Sequence, residues 1–166
     1  MPPRGARIAL LLVLAGIIGV LGGALAFQYA GGLAPCEICL YERWPYYASL
    51  PLAVALISPH TTRRDAMTGA AVLMLIFIAS SVLAFYHVGV EQHWFQGPTA
   101  CTGTGGSART IEELRRLLMN QQTVQCDAPQ WSLFGVTLAG YNFFASVALA
   151  VLSRAALARC VTEGTA

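Results

Sequence analysis

The chain is 166 residues long, 56% hydrophobic and only 11% charged, with a formal net charge of +2. A soluble domain carries about 25% charged residues, so the composition excludes an ordinary water-soluble globule and makes lipid part of the solvent. All ten basic residues are arginine, and so small a net charge argues against a nucleic-acid partner.

The first apolar run, residues 8–27, has 20 residues without a charge and follows Arg4 and Arg7. At about 1.5 Å of rise per residue it crosses a hydrocarbon core of about 30 Å. A cleaved signal peptide is the alternative, but its apolar region is shorter and Gln28-Tyr29 makes a poor cleavage site, so the run is read as an anchor. The second run, Trp44 to Ser58, has 15 residues and contains Pro45 and Pro51. Alone it rises only about 22 Å. Extended back to Cys36 it becomes a helix over 36–58, with Pro35 just before the first turn. Glu42 and Arg43 then sit in its outer turns, where a charge costs less than at the bilayer centre.

A third run, 66–90, has 25 residues with His87 as its only ionisable group, and a fourth, 131–153, has 23. The predicted fold is therefore an all-α integral membrane protein. It is a bundle of four transmembrane helices in one domain over 1–166, with a short first outer loop and a long second one over 91–130. Gly97-Pro98 and the stretch 103–107 keep the first half of the long loop from packing. Residues 110–119 then read as a short helix, with a Thr110/Glu113 capping box and an apolar stripe of Ile111, Leu114, Leu117 and Leu118. Such a helix lies either in the membrane interface or against the other loop.

Arginine placement orients the bundle. Arg4, Arg7, Arg63, Arg64, Arg154 and Arg159 share the face of the two termini, against Arg43, Arg109, Arg115 and Arg116 on the other. The positive-inside rule puts both termini in the cytoplasm. Cys36, Cys39, Cys101 and Cys126 then face outward, and Cys160 faces inward as an inert thiol. Disulfides persist outside the cytosol and are rare within it, so this division is coherent. A Cys101–Cys126 bond would close a loop of about 26 residues, worth roughly 3–4 kcal/mol as a staple. A structural staple and an exchangeable pair both remain open for these two.

Cys36-Glu37-Ile38-Cys39 is a CxxC motif at a helix start. Unpaired N–H groups and the helix dipole favour thiolate there. Cys39 and Arg43 are four residues apart, on one face and one turn from each other. Only a thiolate attacks a disulfide, so the spacing suits redox exchange. A c-type haem site needs His after the second Cys, where Leu40 stands, and a structural zinc site prefers a second CxxC, so no metal is expected.

Residues 35–45, Pro-Cys-Glu-Ile-Cys-Leu-Tyr-Glu-Arg-Trp-Pro, closely resemble the first outer-loop signature of the DsbB family of disulfide-forming membrane proteins. Residues 86–91 and 97–101 look like that family's end of helix three and start of the second loop, and the resemblance covers essentially the whole chain. It implies a bacterial inner-membrane enzyme with periplasmic redox loops. Such an enzyme reoxidises a soluble thioredoxin-fold, DsbA-like partner and passes two electrons to membrane quinone, ubiquinone or menaquinone. By residue match, Cys101 forms the mixed disulfide with the partner, and Cys126 attacks the first-loop pair at Cys36. Cys39 is then left as the thiolate facing quinone. Arg43 and His87 match the family's quinone-side residues, and Glu91 falls beside them, where some members carry glutamine. His87 also fits a plain hydrogen-bonded interface residue, and Asn142 reads as interhelical glue.

Two unrelated classes fit less well. A tetraspanin-like scaffold needs Cys-Cys-Gly in its long loop, which is absent, and a reductant exporter needs a thiol within a span. A DsbB paralogue dedicated to one specialised oxidase is the nearer rival.

Overall fold

The computed structural model describes residues 1–98, 110–112, 115 and 125–163. Four helices dominate it: α1 (Arg4–Tyr29), α2 (Glu37–Leu56), α3 (Arg63–Glu91) and α4 (Leu138–Thr162). α1 packs on α2 and α4, and α3 packs on the same two, so the helices close into a ring. Leu10, Val13, Ile17, Tyr46, Leu73, Phe77 and Leu149 fill its centre. Ile8, Leu12, Ile18, Leu75, Val82 and Val151 point outward and exposed. Helices that are apolar on both inner and outer faces are the signature of a lipid surround. Among the described helices, α1, α3 and α4 are long and apolar enough to cross a membrane. α2 joins the same bundle, but its first half carries Glu37, Glu42 and Arg43.

Most helices run past their expected ends. α1 extends 8–27 to 4–29, α3 extends 66–90 to 63–91, and α2 covers 37–56 of the expected 36–58, with Cys36 as its N-cap. Hydropathy registers the uncharged interior of a span, whereas the backbone ladder continues into its charged end turns. At α3 a Thr62/Asp65 capping box fixes the start. Arginines tie the ends near the two termini together: Arg63 Nε donates to the Cys160 carbonyl at 2.7 Å, and Arg159 Nη1 to that of Gly5 at 3.0 Å.

The fourth helix departs furthest from expectation. Residues 131–137 are not its first turns. Ser132–Leu133 (β1) and Val136–Thr137 (β2) pair antiparallel in a two-stranded hairpin, and α4 begins only at Leu138 and runs to Thr162. The turn between the strands holds Phe134 at φ 52° and Gly135 at φ 79°. Two consecutive positive φ angles are what a two-residue hairpin turn of matching twist requires. Thr137 then caps α4 by accepting from Gly140 N–H. Of the short helix expected over 110–119, only 110–112 and 115 fall within the described residues, and 111, 112 and 115 are helical. The rest of that expectation lies outside them.

Candidate active site

The site is built at the start of α2. As N-cap, Cys36 takes up non-helical backbone angles, and its Sγ accepts from Cys39 N–H at 3.1 Å. Cys36 and Cys39 form a disulfide, with their Cα atoms 5.1 Å apart. The bond therefore rests directly on the positive end of the helix dipole.

One stripe of α2 faces the bundle interior: Ile38, Glu42, Tyr46, Ser49, Ala53 and Leu56, each three or four residues after the last. Glu42 is thus carried inward, and it is only 6% exposed. Its Oε1 accepts from His87 Nδ1 of α3 at 3.0 Å, and His87 is only 2% exposed. The other ring nitrogen, Nε2, lies 3.6 Å from Cys36 Sγ. A carboxylate on Nδ1 fixes the tautomer, so Nε2 faces the sulfur as an acceptor when the ring is neutral and as a donor when it is protonated.

Arg43, one residue on, turns toward α1, where its Nη1 donates to Gln28 Oε1. Glu91 closes the far side: its Oε2 accepts from Thr137 Oγ1, joining the last residue of α3 to the cap of α4. Cys126 is 1% exposed, packs in one cluster with Cys36, Ile38 and Val90, and is itself half of a disulfide. The Gln130 side chain donates to the Ala34 carbonyl at 2.8 Å, holding residues 125–131 over the helix start.

Between α1, α2 and α4 these groups border a cavity of about 360 Å³. Cys36, Cys39, Arg43, His87, Glu91 and Cys126 all line it. Much of the remaining wall is apolar, with Leu21, Phe27 and Trp131 among it, and the Phe27 and Trp131 rings are 5.0 Å apart. Six of the seven site residues expected from the sequence are therefore brought together, and Cys101 lies outside the described residues. The sequence reading missed Glu42, Gln28 and Thr137. The three-and-four spacing of α2's inner stripe was the available signal for Glu42.

Donor atoms of Cys36, Cys39 and His87 lie within 4.8 Å of one another, close enough to share a metal ion. Joined as a disulfide, however, the two sulfurs have no thiolate to offer one. The same arrangement suits thiol chemistry. Once the pair is reduced, His87 Nε2 stands where it can take the Cys36 proton, and the Glu42 carboxylate stabilises the resulting imidazolium.

The profile of disulfide bond formation protein DsbB matches residues 6–156. The curated disulfide bond formation protein B of Aromatoleum aromaticum is 26% identical over 149 residues, covering 85% of this chain and 86% of its own length. Disulfide bond formation protein B 1 of Pseudomonas fluorescens is 30% identical over 149 residues, covering 85% and 84%. An uncharacterized protein of Rickettsia prowazekii is 25% identical over 145 residues, covering 86% and 81%. No solved structure matches the chain. A profile match over nearly the whole length, on a helical bundle with a disulfide at its rim, settles the relationship: the chain belongs to the DsbB family of disulfide-forming membrane proteins.

Proposed function

We propose that this protein reoxidises a periplasmic thioredoxin-fold dithiol of the DsbA type and delivers the two electrons to membrane quinone. The observation that carries the reading is the position of the Cys36–Cys39 disulfide. It borders a largely apolar cavity together with Arg43 and His87, and Cys126 packs in the same cluster. A membrane-soluble ring fits such walls, with an arginine and a histidine as its polar contacts. Quinone, when bound, accepts two electrons and two protons.

The chain's own part is a relay of bonds. The partner's thiolate attacks Cys101 in its bond to Cys126 and releases Cys126, whose thiolate then attacks Cys36 and releases Cys39. The partner's second thiolate displaces Cys101 as the partner's disulfide closes, and Cys101 re-forms its bond to Cys126, leaving Cys36 and Cys39 reduced. Arg43 stabilises negative charge on Cys39 and on the acceptor, while Glu42 and His87 remove the proton from Cys36 as its disulfide re-forms. In this reading all four helices span the inner membrane and both termini are cytoplasmic.

The test uses purified protein in detergent with a reduced thioredoxin-fold dithiol and a short-tailed ubiquinone. Quinone absorbance should fall in step with partner oxidation, one quinone per disulfide formed. Partner oxidation without any loss of quinone absorbance would refute the reading.

A further inference from the structure

Below the disulfide, a chain of hydroxyls leads to the cavity wall. The Tyr46 hydroxyl donates to Asn142 Oδ1 at 2.6 Å and also meets Ser146 Oγ at 2.8 Å, which in turn meets Ser80 Oγ at 3.0 Å. Tyr46, Ser80 and Ser146 are each no more than 1% exposed. A phenol has one proton, and an amide oxygen can only accept. The direction of the chain follows: Tyr46 gives its proton to Asn142, so Ser146 must donate to Tyr46, and Ser80 to Ser146. Each bond polarises the next. With its oxygen so held, the Asn142 side chain presents Nδ2 as a fixed donor. Among the described residues this nitrogen meets no acceptor, and both Asn142 and Tyr46 line the cavity.

We propose that Asn142 Nδ2 donates a hydrogen bond to the carbonyl of the bound quinone that lies farther from the disulfide, and that Tyr46 is the positioning residue for this amide. The inference rests on the quinone reading and deepens it. Tyr46 follows Cys39 by seven residues on α2, about 10 Å along the helix axis. A six-membered dione with a hydrogen bond of about 3 Å at each oxygen spans a comparable length. One carbonyl then meets the Cys39, Arg43 and His87 end of the cavity and the other meets Asn142. An amide in an apolar wall is costly to leave unpaired, which favours a ring with two opposed acceptors over an acyl chain with none. The electron balance is unchanged: two electrons and two protons leave the reduced Cys36/Cys39 pair, its disulfide re-forms, and the dione becomes hydroquinone. The amide holds the ring and transfers nothing.

The test is infrared difference spectroscopy of the purified protein with a short-tailed ubiquinone carrying ¹³C at one or the other ring carbonyl. In the wild type both carbonyl bands should lie below their positions for quinone in detergent alone. Asn142→Leu, similar in size, should return one band to the free position and leave the other shifted, with a raised quinone KM. Tyr46→Phe keeps the ring packed on Phe77 and should weaken the same band, leaving a broadened intermediate one. A wild-type spectrum with only one shifted carbonyl overturns the inference without any variant. So does an Asn142→Leu protein, folded by thermal unfolding, that retains both shifts. If the wild type neither shifts nor reduces quinone, it is the proposed function that fails.

Discussion

His87 Nε2 lies 3.6 Å from Cys36 Sγ, a contact between residues 51 positions apart in the chain. The imidazole is held there by Glu42, so a cysteine sulfur, a base and an orienting carboxylate stand in line inside the bundle. The same order of groups activates nucleophiles in many enzymes. Here it bears on a sulfur that already accepts an N–H bond at a helix start, and once the disulfide is reduced both groups stand where they can stabilise negative charge on it.

Removing only one member of the buried pair should cost more than removing both. His87→Ala leaves the buried Glu42 carboxylate without its hydrogen-bond partner, and a buried charge left unpaired costs about 3–5 kcal/mol. The double variant Glu42→Gln/His87→Ala has no such charge and should regain most of the lost thermal stability in detergent, yet not the activity. Glu42→Gln alone should slow partner oxidation about ten-fold, since a charge-assisted bond is worth roughly 1.5–3 kcal/mol. A double variant no more stable than His87→Ala would show that the carboxylate is not the source of the cost.

Each of Cys36, Cys39, Cys101 and Cys126 should be indispensable, because each carries one step of the proposed two-pair relay. Single Ser variants should lose partner oxidation. Cys160 is buried against Ala6 and Ala66 at the other end of the bundle, so Cys160→Ala should leave the rate within about two-fold. Mass spectrometry after equilibration with excess reduced partner tests the pair containing Cys126. Survival of that disulfide would mark it as a staple, and full activity of Cys126→Ser would end the relay.

Much of this arrangement could be read from the chain. Long uncharged runs announce helices because in lipid a single apolar segment satisfies its backbone hydrogen bonds internally only as a helix, and a CxxC beside a proline announces a helix start with chemistry on it. His87 stands out as the lone ionisable group of its run. Its partner does not, because Glu42 is 45 positions away and reads from the sequence as a charge in an outer turn of α2. Residues 131–137 mislead for a related reason. Trp131, Leu133, Phe134 and Val136 are as apolar as a span, and only Phe134-Gly135 hints at the turn that delays α4 to Leu138.

Packing makes its own demand at Gly69. A Cβ at this position would land on the methyl groups of Leu56, which is 4% exposed and has little room to withdraw. Gly69→Ala should therefore destabilise the bundle by about 1–3 kcal/mol, despite alanine's better helix propensity. Leu56→Ala alone should cost about 2–5 kcal/mol. Because the two residues share one space, the double variant should cost less than the sum. Additive losses in thermal unfolding would mean that the α2–α3 contact does not depend on this glycine.

Arg43 offers the cleanest separation of quinone chemistry from folding. It borders the cavity with Cys39 and is held by Gln28 of α1, so its charge sits at the disulfide end of the proposed acceptor site. Arg43→Ala should raise the quinone KM about ten-fold, equivalent to roughly 1.4 kcal/mol of lost binding, while the amount of protein in the membrane stays near normal. Arg43→Lys should fall between, since lysine keeps the charge but loses the planar fork. Gln28→Leu removes the acceptor that aims the guanidinium and should shift KM in the same direction by less. The comparison is made at saturating reduced partner, so that the quinone step is the one observed. Unchanged quinone kinetics in Arg43→Ala would reduce this arginine to an anchor at the membrane surface.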